Sequence, residues 1–249
     1  MGLSTVHFEK LFVHARNITP YLDGNLVEHE SSCLNHDLST KSIEFLYTQI
    51  ANRHPEAGQA YWLTRTWDLL CWQPVFVSFI AIYTQKALPD VATILQKQQH
   101  CFISGFSFMD HEWTHASRSA LIKTAGELLS QLFENYREAI NQWGRIRPGF
   151  TNHLLADQLL SCLVRLQELR PSYSNGAILQ QAKLWLDAFN LPHKHISSLI
   201  VDVATDRLKV VRTSCCLVYK CEGRPLCANC PRLESNKANA AIAVQQVAA

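Results

Sequence analysis

The sequence lacks any apolar stretch of bilayer length. Its most apolar run, Val75 to Tyr83 (VFVSFIAIY), falls well short of the roughly 20 residues a transmembrane helix needs. Extending it upstream meets Asp68 and Arg65, so it reads as the buried end of a helix. The start, MGLSTVHFEKLFVHARN, lacks the cationic opening, apolar core and small-residue cleavage site of an export signal. Val6 stands where a myristoylation signal wants Ser or Thr. Excess charge is also missing: the formal net charge is +2 over 249 residues, which gives no general signal for nucleic acid or membrane. Internal repeats and long low-complexity segments are absent. These absences lead us to expect a cytoplasmic protein, or one peripheral at the inner membrane. No membrane span and no nucleic-acid partner are expected.

What is there is mostly helical in pattern. SIEFLYTQIANRH places Ile43, Leu46, Tyr47 and Ile50 on one helix face, with Ser42 as its N-cap. A second helix is expected from Gln59 to Lys86, kinked near Pro74. Two β-branched and aromatic runs flank the polar QKQQ and predict a hairpin near residues 91–108, with Gly105 as a bulge or bend. Further helices are expected over Ser119–Trp143, Asn152–Leu169 and Gly176–Phe189, separated by RPG and RPSYSNG. The segment RLKVVRTSCCLVYK is strand-like. The fold class is therefore α+β: a mainly α-helical domain (1–203) with a small hairpin, a C-terminal cysteine module (204–235) and a tail (236–249).

Cysteine is plentiful and unevenly placed. Five of the nine lie between Ser214 and Pro231, in SCCLVYKCEGRPLCANCP. In a reducing compartment such a cluster points to metal or redox chemistry before disulfides. Cys227 and Cys230 form a Cys-x-x-Cys pair, which lets two thiolates grip one ion from a tight turn. Cys215 and Cys216 are adjacent, a poor zinc knuckle because neighbouring side chains tend to point apart. Four thiolates suit tetrahedral zinc or an iron–sulfur cluster, and structural or redox thiols remain a third reading. Cys33, Cys71, Cys101 and Cys162 sit among apolar residues and read as buried thiols. From Ala204 to Lys237 seven bases face three acids, a local excess of four positive charges.

The pattern Cys-Cys-x10-Cys-x2-Cys, followed by Pro, resembles the C-terminal signature of the FhuF-like ferric-siderophore reductases. The likeness includes the basic lead-in RLKVVRTSCCLVYK. YWLTRTWDLLCWQP (Tyr61 to Pro74) also resembles the aromatic helix of a siderophore ferric iron reductase subgroup. The resemblance implies a bacterial cytoplasmic oxidoreductase that reduces siderophore-bound Fe(III) through a [2Fe–2S] cluster. It places Cys215, Cys216, Cys227 and Cys230 at the four ligand positions and leaves Cys221 outside the pattern. It implies a ferric siderophore as substrate, of hydroxamate or citrate–hydroxamate type, and an electron donor such as a ferredoxin or a reductase. Trp62, Trp67 and Trp72 on this helix read first as core residues; the sharper reading is a siderophore wall, with Arg65 meeting carboxylate or hydroxamate oxygens and Trp62 and Trp67 named as substrate-binding. Arg212, Lys220 and Arg224 are expected to steer an anionic complex. The rival is a non-enzymatic zinc- or iron–sulfur-binding protein with a sensing or structural role.

One further motif competes. HEWTH, His111 to His115, fits the zinc-protease pattern His-Glu-x-x-His. The extended form fails, with Arg118 and Leu121 at the Gly and His positions, and Asp110 suggests a helix N-cap instead. HKH, His193 to His195, reads as a solvated turn.

Overall fold

The computed structural model describes residues 3–27, 40–109 and 112–236. Six helices carry most of the described chain: α1 (Leu3–Ile18), α2 (Thr40–Arg53), α3 (Gln59–Gln85), α4 (Arg118–Asn141), α5 (Pro148–Leu169) and α6 (Asn175–Ala188). Three small sheets complete it. Strands β1 (Gly24–Leu26), β4 (Phe102–Phe108) and β3 (Leu95–Gln99) form one. The others pair β2 (Ala87–Pro89) with β5 (Trp113–His115), and β6 (Leu199–Asp202) with β7 (Arg207–Val210). The class is α+β and mainly helical.

Helix α3 is apolar on every side, and a helix of that kind must be covered. Helices α1, α2, α4 and α5 all pack against it. By length and composition α3 could cross a bilayer, yet 83% of its most apolar window is buried inside the protein. Lys86 adopts a left-handed conformation (φ 55°) and ends the helix. Pro74 lies within α3, and Ser78 Oγ donates to its carbonyl. Ser42 is not an N-cap: it lies inside α2, which begins at Thr40.

The hairpin forms, but the polar QKQQ is part of strand β3 rather than the connection between strands. The turn falls at His100 and Cys101. Gln96 fits a strand because its amide is satisfied inside, while Gln98 and Gln99 bond back to the hairpin's own carbonyls at His100 and Ser104. Tyr136 OH donates to Gln96 Oε1 (3.0 Å), Gln96 Nε2 to Gln73 Oε1 (3.3 Å), and Gln73 Nε2 to the Tyr21 carbonyl (3.1 Å). This chain links α4, β3, α3 and the loop before β1. Gly105 is the bulge, with the register shifting opposite it between Gln96 and Gln98. Its φ of +83° favours glycine, and a Cβ would crowd the Asp23 carbonyl at 3.3 Å.

β5 corrects another expectation. Trp113–His115 form a strand paired with β2, not a first helical turn, so a zinc-binding spacing on one helix face is not available. Asp110 and His111 lie outside the described residues, as do Cys33 and the tail from 237 onward. In HKH, His193 and Lys194 are exposed in a short 3-10 turn as expected, whereas His195 is buried (3% exposed) with its ring 4.9 Å from that of His153. The β6–β7 hairpin spans the boundary at Ala204, and α5 packs against β7. The Leu208 N–H donates to Gln167 Oε1 of α5. Through β7 the chain enters the cysteine segment already fastened to the helical body.

Candidate functional site

The cysteine segment is positioned by one buried carboxylate. Asp157, on α5, is 1% exposed. Its Oδ1 accepts from the Thr213 N–H (2.9 Å) and the Thr213 hydroxyl (3.1 Å), and its Oδ2 accepts from the Ser214 N–H (2.9 Å). Arg212 Nε lies 3.7 Å from Oδ2. The two residues before Cys215 are thus pinned to a helix. The Cys-x-x-Cys turn closes on itself through Cys230 N–H to the Cys227 carbonyl (2.9 Å). Asn236 Nδ2 then donates to the carbonyls of Ala228 and Cys230, both at 2.9 Å. The Arg212 N–H donates to the Asn229 carbonyl, tying the two cysteine-bearing strips together.

The four thiols meet in two pairs. Cys216 Sγ lies 3.2 Å from Cys227 Sγ, and Cys215 shares a hydrogen bond with Cys230. Each pair takes one sulfur from the adjacent dipeptide and one from the Cys-x-x-Cys turn, because side chains on neighbouring residues diverge. Cys216 and Cys230 are buried, whereas Cys215 and Cys227 are half-buried. Burial, and then the neighbouring Cys216 thiol, pushes the Cys227 pKa up to about 11. Burial also raises Cys215. Free thiols held this way resist ionising together. A centre that binds them as thiolates displaces the protons and replaces that repulsion with ligation. The donor set therefore fits a four-thiolate group held as two pairs.

Cys221 lies elsewhere. It is buried and bonded to Tyr61 of α3, with its sulfur close to His54 and Glu56, all three potential ligand atoms falling within 4.8 Å. Glu56 Oε1 accepts from the Glu222 N–H (3.0 Å). These contacts dock the ten-residue loop onto the corner between α2 and α3. Of the upstream thiols, Cys71 and Cys162 are buried and Cys101 is half-buried at the hairpin turn.

Beside the thiols opens a cavity of about 280 Å³. Helix α3 contributes Arg65, Asp68, Leu69, Trp72 and Phe76, a set recurring every three or four residues along one face. Phe102 comes from β4, Asp157 and Ser161 from α5, and Arg212 and Asn229 from the cysteine segment. The Arg65 guanidinium sits 5.6 Å from the Phe102 ring centre. Burial raises the Asp68 pKa, with Arg212 and Arg65 opposing it. Burial disfavours charge on Arg212, but Asp68 and Asp157, then Cys216 and Cys227, hold its pKa above the ordinary value. Behind this wall Trp72 Nε1 is buried with no hydrogen-bond partner among the described residues, and Arg212 Nε, likewise buried, has only the longer ion-pair contact with Asp157.

The expected wall residues divide. Arg65 and Arg212 face the cavity. Trp67 does not: it is 1% exposed and packs edge-on against Phe133. Trp62 also lies off the cavity, its Nε1 donating to the His54 carbonyl (2.7 Å). The third tryptophan of the helix, Trp72, takes the wall position. Lys220 and Arg224 are exposed on the docked loop, away from the cavity lining. Asp157 and Asn236 escaped the sequence reading. For Asp157 a signal existed, a lone acid inside the apolar run LLADQLLSCLV. Asn236 carried none.

Residues 212–232 match the family model described as the FhuF 2Fe-2S C-terminal domain, a span that holds Cys215, Cys216, Cys227 and Cys230. The cofactor of such a domain is a [2Fe–2S] cluster. No solved structure matches the chain.

Proposed function

We propose that this protein, whose residues 212–232 carry a FhuF-type [2Fe–2S] domain, is a cytoplasmic ferric-siderophore reductase. The observation that carries the reading is a cavity lined by the Arg65 and Arg212 side chains together with Trp72, Phe76 and Phe102, which shares Arg212 and Asn229 with the cysteine segment. Paired guanidiniums among aromatic rings suit the oxygen-rich, partly apolar surface of a ferric complex.

Cys216 with Cys227, and Cys215 with Cys230, would each hold one iron of the cluster. Asp157 keeps both strips in place. When bound, a [2Fe–2S] cluster supplies one-electron redox chemistry. Arg65 and Arg212 receive the hydroxamate or carboxylate oxygens of the ferric complex, while Phe76, Phe102 and Trp72 exclude water. The cavity is small for a whole siderophore, so one face or arm of the complex enters it. The substrate Fe(III) gains one electron and becomes Fe(II), which hard oxygen donors hold poorly. Asp68, whose pKa burial raises, lines the same cavity and would be a proton donor to a freed ligand oxygen.

The test is anaerobic mixing of reduced protein with ferric hydroxamate and citrate–hydroxamate siderophores, with a ferrous chelator present. Reoxidation of the visible spectrum together with stoichiometric ferrous trapping is expected. A reduced spectrum that persists with every ferric siderophore tried would refute the reading and leave a sensing or structural role.

A further inference from the structure

We propose that the exposed face around Arg145, Arg147 and Phe150 is the docking surface for a small acidic one-electron carrier protein of the ferredoxin class. The proposal rests on the reductase reading, because it supplies the electron that reading consumes.

A second cavity, of about 250 Å³, lies under this face. It shares no lining residue with the first. On α3 it uses Ala60, Leu63 and Thr64, whose mean direction is roughly 120° round the helix from the face carrying Arg65, Asp68 and Trp72 at 3.6 residues per turn. The two cavities therefore open on different sides of α3, and both reach the cysteine segment. The first meets it at Arg212 and Asn229, and the second at Leu217, the residue bonded directly to Cys216. One side is thus left for a donor when the other holds the ferric complex.

The chemistry of the second face suits a protein more than a small ligand. Arg145 and Arg147 are exposed, and neither enters an ion pair among the described residues. Phe150 is 37% exposed and lines the same cavity as the two arginines and the apolar Ile146, Leu63 and Leu217. An aromatic anchor with arginines at its rim is the composition of protein interfaces. At the adjoining edge, Glu56 from the α2–α3 corner meets Glu222, Lys220 and Arg224 of the docked loop, so those four charges cancel. The excess positive charge comes from Arg145 and Arg147, which selects an acidic partner. The balance is simple: the carrier is oxidised by one electron at this face, and the protein is reduced by one.

The experiment uses cluster-loaded protein and a plant-type [2Fe–2S] ferredoxin as probe, with the doubly reversed variant Arg145→Glu, Arg147→Glu and the separate variant Phe150→Ala. Stopped-flow reduction by reduced ferredoxin should fall about tenfold or more in the double variant at low salt, and the wild-type rate should drop as salt rises. Calorimetric binding of ferredoxin should weaken in both variants. Reduction by dithionite and reoxidation by a ferric hydroxamate should match wild type, showing that the variants are folded and loaded. An unchanged ferredoxin rate and salt dependence in the double variant would overturn the proposal. So would a loss of ferric-siderophore reoxidation instead, which would make this face a second substrate site. Failure of ferric siderophores to reoxidise wild type would refute the reductase reading alone, since the ferredoxin measurements do not depend on it.

Discussion

Truncating Asp157 strips the acceptor from three donors at once and leaves Arg212 without its closest carboxylate. Asp157→Ala should cost about 3–5 kcal/mol, the range for breaking a buried charge pair, and should lower cluster content because Thr213 and Ser214 set the direction of Cys215. Chemical denaturation and iron and sulfide assays read the two effects separately. Changing Cys227 or Cys230 to Ser should abolish or destabilise the cluster. Cys221→Ser should retain it and cost only about 1 kcal/mol, the net value of one hydrogen bond, here to Tyr61. Full iron and sulfide in Cys227→Ala would defeat the ligand assignment. His195 sets a pH response. Burial, then His153, lowers its pKa below the ordinary 6.5. The folded state thus takes up a proton less readily than the unfolded chain. Its contribution is complete above about pH 6.5 and is lost as pH falls through the lower folded value. Melting curves from pH 7.5 to 5 should show the decline, and His195→Gln should flatten it.

At the scale of elements, the β3–β4 hairpin matters because it delivers Phe102 to the cavity. The bulge at Gly105 sets the bend, and its positive φ sits beside the Asp23 carbonyl. Gly105→Ala should cost about 1–2 kcal/mol from the left-handed backbone alone and should shift the Phe102 environment. Tryptophan fluorescence from Trp72, whose ring centre is 6.1 Å from that of Phe102, would report the shift. An unaltered melting temperature would show that the strand accommodates the Cβ. Gly126 fixes a different spacing. A Cβ there would collide with the Ala188 carbonyl, so α4 and α6 cross too closely for any side chain.

For the whole molecule, the arrangement predicts selectivity by potential. A one-electron step loses about tenfold in equilibrium constant for each 59 mV uphill. A plant-type [2Fe–2S] centre lies near about −400 mV, and positive charge nearby raises it. Arg212, held positive among Asp68, Asp157 and the thiols, is the closest such charge. Hydroxamate and citrate–hydroxamate complexes hold Fe(III) less extremely than tris-catecholates, so they should reoxidise the reduced protein faster. Rapid oxidation by a tris-catecholate and none by hydroxamates would reverse that expectation. Arg212→Gln should lower the potential in a redox titration and weaken ferric-complex binding together. A change in binding alone would leave the potential to other charges.

The sequence by itself marked five of the six helices, missing α1, and the four-cysteine pattern that the family model also matches. Both are local: helices follow a repeat within a dozen residues, and Cys-Cys-x10-Cys-x2-Cys is a linear pattern. It also marked α3 as the aromatic helix beside the site. It did not select which tryptophan faces the cavity. Trp62, Trp67 and Trp72 look alike in the sequence, and only packing against Phe133 consigned Trp67 to the core while Trp72 met the cavity. The strand assignment of QKQQ likewise needed Gln73 and Tyr136, which lie far away along the chain. Lys220 and Arg224 were legible as charges but not as residues on a loop docked away from the cavity. Asp157 precedes Thr213 by more than fifty residues, so its grip on the cysteine segment exists only once α5 packs against β7. Tertiary structure decided these points because each depends on which distant group fills the other side of a buried contact.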